Sequence, residues 1–462
     1  MADWVADYKA TIGDRVISPS VAPGKIAEQL RAAGWEHSAP LEQILGEFDE
    51  VVMPGILHWG HPAFLGYFGS TSNGPALLGE IAAAALNVSA MTWRTSPAAT
   101  EMETITLEWI RDLIGLPDDL FGVVYDTASI ATLHALAAAR ERSGGEIRKR
   151  GLAGRDDLPT YRIYASDQAH SSVKKSAIVL GIGEGNVVSV KTDSAFRMDV
   201  RTLREEIDAD VRAGHRPLAV VATVGTTSTG SVDPIPEIGE LCASQGIWLH
   251  IDAAYGGALG ALEEGRWVMA GTESADSIVV NPHKWLFVPL DFSALYTRHP
   301  ETLRSVFSLV PEYLRGDAAR SGEVDYMDYG IQLGRRFRAL KAWMVLRSFG
   351  RAGIVSRLRE HLRLAQLFGS WVDADPSFAL AAPVTMGIVC FRYQPDGATG
   401  DEVNALNENI VERVNAVGRT YLTHTRLNGT VAMRIGLGNV LTTEEHLAEA
   451  WQVIRMESRR QG

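Results

Sequence analysis

The sequence predicts an α/β protein: a large domain on a mainly parallel sheet, with an N-terminal helical arm before it and a smaller C-terminal α+β domain after it. Three observations carry this expectation. From about His58 to Gly350, short β-branched runs alternate with helical stretches, the pattern of a parallel sheet covered by helices on both faces. Residues up to about Pro54 have helical spacing but too few apolar positions for a core of their own. Beyond a long amphipathic stretch, roughly Arg335 to Phe349, the pattern shifts to shorter mixed elements that run to Gly462. The expected boundaries are 1–57, 58–350 and 351–462.

Taken in order, the arm shows helical spacing at Ile26–Leu30 and Leu41–Leu45, and it must pack on something else. The strand candidates of the large domain are Gly122–Tyr125, Arg162–Ala165, Leu218–Thr223, Ile247–Ile251 and Ser277–Val280. Each ends in a polar cluster. In open α/β sheets ligands gather outside the carboxyl ends of the strands, so those clusters are where chemistry is expected. The sequence contains no internal repeat and no low-complexity tract.

With 462 residues, 46% of them apolar, and a mean hydropathy of −0.01, the chain can bury a large core. A net charge of −12 opposes general nucleic-acid binding, which requires a positive surface to displace phosphate counterions. A small-molecule partner is expected instead. The two cysteines, Cys242 and Cys390, have no CxxC or Cys/His neighbour pattern, so neither a metal site nor a disulfide framework is expected. No stretch reaches about 18 uncharged apolar residues, and Met1–Asp7 lacks the basic and apolar blocks of a signal peptide. Buried thiols in a reducing compartment, no membrane association and a cytoplasmic location are the resulting expectations.

Several strand ends offer the groups that pyridoxal 5′-phosphate (PLP) demands: an amine for an imine, an acid for the pyridine nitrogen, phosphate donors and a flat partner for the ring. Lys284 follows the apolar run Ser277–Val280 and supplies the amine, although a lysine after a strand also reads as a solvated terminus. Asp252 ends an apolar strand, where an ionised carboxylate needs a cation such as a pyridinium N–H; it can equally cap the next turn. Asp126-Thr127-Ala128-Ser129 precedes a helical run, so a phosphate there would meet free N–H groups and two hydroxyls, as a plain helix cap would also provide. His170 can lie flat on a ring or serve structure alone, and Thr226 and Thr227 offer hydroxyls at another strand end. The joint occurrence is what favours one cofactor.

At these residues the chain resembles the group II PLP-dependent decarboxylases, above all the aromatic-L-amino-acid decarboxylases, within the aspartate-aminotransferase-like fold (PLP fold type I). The resemblance runs from about residue 5 to 460. Its most specific segments are His61–Phe68, Trp93–Glu101, Ala222–Thr227, the Asp252 and Lys284 motifs and Leu333–Arg338. It implies Lys284 as Schiff-base lysine, Asp252 as pyridinium partner and His170 as the ring-stacking residue that assists protonation. It also implies Ala128, Ser129, Asn281 and His283 near the phosphate, and Thr227 near the ring. Tyr313, in Val310–Arg315, matches the tyrosine of the family's mobile loop, a plausible acid for protonating the product carbon. Relatives that form aldehydes typically lack this tyrosine or the histidine, so keeping both implies decarboxylation to an amine. The implied side-chain pocket comprises Trp59, Tyr67, Phe68, Gly69, Ser70, Met91 and Trp93, an aromatic-lined slot suited to an aromatic amino acid. A homodimer, with the arm wrapping the partner and Tyr313 reaching across, is implied as well.

Three positions depart from the family pattern. Asp126 stands where a small residue is usual, and its carboxylate would repel a phosphate unless it points away. Ile130 stands in place of glutamate, and Arg94 in place of a small residue. The alternatives are aldehyde synthesis, acidic amino-acid decarboxylation or transamination on the same scaffold, and a non-catalytic family member.

Overall fold

The computed structural model describes residues 2–19, 21–70, 72–309, 322–395, 397–398 and 400–460. The chain divides into two compact units, one of residues 1–69, 367–381 and 389–462, the other of residues 70–366 and 382–388.

The larger unit is built on a seven-stranded sheet. Its strands are β1 (Phe121–Tyr125), β2 (Tyr161–Ser166), β3 (Val187–Val190), β4 (Arg216–Thr223), β5 (Trp248–Asp252), β6 (Ser277–Val280) and β7 (Ser293–Thr297), in the order β1-β7-β6-β5-β4-β2-β3. β7 runs antiparallel to both its neighbours, and the pairs β6-β5, β5-β4, β4-β2 and β2-β3 are parallel. It follows that β1, β2, β4, β5 and β6 all point the same way and end at one edge. β4 and β5 are almost wholly buried, as the β-branched run Leu218–Thr223 and the run Trp248–Asp252 require. All five strand candidates are present; β3 and the antiparallel β7 were not among them.

The smaller unit carries the four strands β8 (Phe378–Leu380), β9 (Ile388–Tyr393), β10 (Thr423–Leu427) and β11 (Thr430–Gly436), in the order β10-β11-β9-β8. Phe368, Phe391 and Trp451 meet edge to face in its core. The arm, unable to form a core alone, is part of this unit: Ile17 N–H donates to the Gly418 carbonyl (3.0 Å), and Leu65 N–H to that of Tyr421 (2.8 Å). Gly436 N–H in turn donates to the Leu65 carbonyl (2.8 Å). Those backbone bonds carry the first break in the contacts to Gly69, past the boundary at 57 that hydrophobic spacing suggested.

The helix expected over Arg335–Phe349 begins later, at Ala339, and ends as expected, because Gly350 (φ 61°, ψ 170°) breaks the run Ala339–Ala374 into two helices. Arg335, Arg336 and Arg338 are engaged before it starts, with Glu103, Glu80 and Asp291. Among the described residues no helix is long and apolar enough to cross a membrane.

Candidate active site

At the edge where β1, β2, β4, β5 and β6 end lies a cavity of about 190 Å³. Each strand contributes to it. Thr127, Ala128 and Ser129 come from the exit of β1, His170 from β2, and Thr223, Gly225 and Thr227 from β4. Asp252, Ala254 and Tyr255 come from β5, and Asn281, His283 and Lys284 from the turn after β6. Eight residues expected from the sequence at the cofactor are thus brought together, Lys284 and Asp252 among them. Thr127, whose hydroxyl the sequence also offered to a phosphate, joins them, and Thr223, Gly225 (φ 88°), Ala254 and Tyr255 are additions.

Lys284 is placed by a short helical turn, Pro282–Trp285, in which its N–H donates to the Asn281 carbonyl (2.9 Å). Proline at the first position suits that turn because its missing N–H would be unpaired anyway. The next residue, Trp285, is fully buried, stacks on Tyr255 (centroids 4.5 Å apart, planes 10° apart) and donates its indole N–H to His361 Nδ1 (3.0 Å). Residues adjoining the lysine and the aspartate are therefore locked to each other.

Asp252 ends β5, is 7% exposed and accepts the Ala254 N–H on Oδ1 (3.1 Å). Two residues earlier, on the same face of the strand, His250 is fully buried. Its Nδ1 meets Ser277 Oγ (2.9 Å) and its Nε2 meets Thr132 Oγ1 (3.3 Å), which ties β5 to β6 and to the helix Ala128–Arg142. Burial holds the His250 ring neutral, with its pKa down at about 4 although Asp252 pulls it upward.

His170 is solvent-accessible as a residue, yet the surroundings of its ring lower its pKa; Lys284 and Lys175 act in the same direction and Asp252 opposes. Its Nδ1 accepts the Ser172 N–H (3.1 Å), so the neutral ring carries its proton on Nε2. His283 is fixed likewise: Nδ1 accepts the Phe292 N–H (2.9 Å), and burial together with Lys284 drives its pKa down to about 3. Asn281 accepts the Ser293 hydroxyl on Oδ1 (2.6 Å).

The β1 side of the cavity is a helix N-terminus. Thr127 caps the helix Ala128–Arg142, its Oγ1 accepting the Ile130 N–H (3.5 Å). Asp126 is not among the lining residues. Its Oδ1 accepts the Thr127 N–H (2.6 Å) and hydroxyl (3.2 Å), and its Oδ2 accepts from Gln332 (3.5 Å), so the carboxylate is held by its own neighbours. Ile130 packs against the core, which accounts for an apolar residue there.

The residues implied at the substrate side chain do not line this cavity. In the smaller unit Trp59 stacks on Tyr67 (5.3 Å, 7°), and Arg434 lies over the Phe68 ring (4.8 Å). In the larger unit Ser70 is half-buried, Met91 accepts the Met327 N–H on its carbonyl (3.0 Å) and Trp93 N–H donates to Asp325 (2.9 Å). Tyr313 lies outside the described residues.

A mostly parallel sheet that collects an amine, a buried carboxylate and a capped helix start at one edge is the framework of the type I PLP enzymes. This chain belongs to the pyridoxal-dependent decarboxylases, matching the family described as "Pyridoxal-dependent decarboxylase conserved domain" over residues 23–394. It is 37% identical to the aromatic-L-amino-acid decarboxylase of Cavia porcellus, over 98% of this chain and 95% of that one. It is also 37% identical to the phenylacetaldehyde synthase of Arabidopsis thaliana, over 99% of this chain and 94% of that protein. Its fold matches the crystal structure of Oryza sativa TDC with PLP and tryptamine at a TM-score of 0.94, with 35% identity, covering 99% of this chain and 96% of the other.

The residues present fit PLP. Thr223 Oγ1 is buried with no hydrogen-bond partner among the described residues and belongs to a residue lining the cavity, where a polar ligand would supply one.

Proposed function

We propose that this chain decarboxylates an aromatic L-amino acid to the corresponding amine and carbon dioxide, with PLP carried on Lys284. The observation that carries the reading is the convergence of Lys284, Asp252 and His170 on one cavity in a member of the decarboxylase family. Bound PLP supplies an aldehyde for the substrate amine and a ring that accepts the electrons released as carbon dioxide leaves.

Around it, this chain's residues bind, orient and move protons. Lys284 provides the attachment amine. Asp252 keeps the pyridine nitrogen protonated, a charge-assisted bond worth about 1.5–3 kcal/mol. The N–H groups at Ala128 and Ser129, with Asn281 and His283, would hold the phosphate, and Thr227 would serve the ring. His170 would stack on the ring, with its Nε2–H available to the cofactor or substrate. Tyr313 delivers the proton that makes the product an amine. Trp59, Tyr67, Phe68, Ser70, Met91 and Trp93 are the residues that the resemblance to the family assigns to the substrate side chain.

Borohydride reduction of the yellow protein is expected to bleach it and label Lys284; a colourless protein indifferent to added PLP would refute the assignment. Incubation with single aromatic amino acids is expected to yield amine and carbon dioxide in equal amounts. The second reading, aldehyde formation, is supported by the likeness to phenylacetaldehyde synthase, and aldehyde plus ammonia would decide for it. A Tyr313→Phe variant is expected to shift product from amine toward aldehyde, whereas unchanged amine output removes Tyr313 from the proton path.

A homodimer is part of the proposal. Leu78, Ile81 and Leu86, on the helix Gly74–Leu86, are 63%, 61% and 59% exposed, an apolar surface that a second copy would cover. Light scattering that finds an active monomer would refute it. A cytoplasmic location agrees with Cys242 and Cys390 as free buried thiols, and cell fractionation tests it.

A further inference from the structure

Among the described residues β1 is the outermost strand on its side of the sheet and pairs only with β7. In an antiparallel pair both polar groups of a residue point the same way, so alternate residues of an outer strand direct N–H and C=O off the free edge. Val124 is such a residue, and it is buried, where unpaired groups are costly. No strand meets it. Instead Glu103 Oε1 accepts the Val124 N–H (3.1 Å) while Arg335 Nη2 donates to the Val124 carbonyl (2.8 Å).

The two side chains also bind each other in a fork, at 2.6 and 3.0 Å, with only 5% and 2% of their side-chain surface exposed. The guanidinium's other arm, Nη1, donates to the Ala90 carbonyl (2.9 Å), and the Arg335 carbonyl accepts the Ala90 N–H (2.8 Å). One buried ion pair thus grips two segments. The first leads within three residues to Thr127 and the helix start at the cavity. The second leads in one residue to Met91.

We propose that the Glu103–Arg335 pair is a positioning device that stands in for a missing strand, holding the β1 exit and the Met91 segment in fixed register. The cofactor half of this inference rests on the cavity alone; the substrate half rests on the reading of Met91 as a pocket residue. Neither Glu103 nor Arg335 lines the cavity, so the effect on chemistry is through placement.

The test uses the full chain with Glu103→Gln, which keeps an acceptor but removes the charge, and Arg335→Lys, which keeps the charge but removes the fork. Expected are a PLP dissociation constant raised about tenfold and a KM for the preferred amino acid raised by a similar factor, with kcat at saturating PLP within about threefold of wild type. Lower melting temperatures with unchanged PLP affinity and KM would overturn the proposal, leaving a mere brace. Amide hydrogen exchange on the unaltered protein decides independently of whether the variants fold. The Val124 amide is expected to exchange as slowly as those of β4 and β5, and fast exchange would overturn the stand-in role. If the wild type binds PLP but releases no carbon dioxide from any aromatic amino acid, the functional reading fails while the PLP measurement still decides the positioning role.

Discussion

The two ends of the cavity are built on different principles. At the Asp252 end, side chains from the adjacent parallel strands β5 and β6 are buried and cross-braced through Trp285, Tyr255 and His250. At the Thr127 end, half-buried residues present backbone N–H groups from the start of a helix. The difference teaches where each kind of ligand charge belongs. A single proton on a ring nitrogen needs one carboxylate at a fixed place in a dry setting, because its worth depends on low dielectric and exact protonation. A phosphate spreads its charge over several oxygens and is served by several weaker donors and a helix dipole, which tolerate water.

Breaking the closed end should have the largest effect. Asp252→Asn preserves shape and removes charge, so kcat is expected to fall about 10²- to 10³-fold while PLP affinity changes far less. Steady-state kinetics beside a PLP titration checks this; loss of affinity without loss of kcat would erase the distinction between the ends. At the open end, Thr127→Ala removes one cap worth about 0.5–2 kcal/mol. PLP binding should weaken about two- to thirtyfold, with kcat near wild type once PLP saturates.

The smallest effect concerns stability and pH. His134, His250 and His283 are buried, with pKa values pushed down to about 3, 4 and 3. Because the folded values lie below the ordinary 6.5, the unfolded chain takes up protons first as acid is added. Their contribution is therefore full above about pH 6.5 and is lost progressively as pH falls toward about 4 for His250 and about 3 for His134 and His283. His134 sits on the helix of the open end, edge-on to Tyr125 and Phe307, and its Nδ1 has no hydrogen-bond partner among the described residues. A His134→Phe variant should show a shallower loss of urea stability between pH 6.5 and 4 than wild type. Parallel slopes would mean that this ring does not drive the acid response.

Much of this site was legible because it uses residues that are out of place on ordinary strands. A lysine and an aspartate directly after apolar runs cost free energy unless something pairs with them, and alternation of strand and helix brings such positions to one edge. The Asp126 carboxylate, by contrast, looked hostile to a phosphate. Its capture by the Thr127 amide and Gln332 involves a residue 206 positions away, which no local pattern announces. The antiparallel β7 was missed because Ser293–Thr297 reads Ser-Ala-Leu-Tyr-Thr, without the Val/Ile run that marks β6, which is equally short and buried.

By itself, then, the sequence determined the α/β class, five of the seven large-sheet strands and the candidates Lys284, Asp252 and His170, since periodicity and burial cost are local properties of a chain. Only the tertiary structure decided that Thr223, Gly225 and Tyr255 share their cavity, that the arm belongs with the C-terminal sheet, and that Glu103 and Arg335 close the free edge of β1. Those outcomes depend on contacts between residues far apart in the chain. Hydrogen-bond satisfaction and close packing select such contacts only once the whole chain is folded.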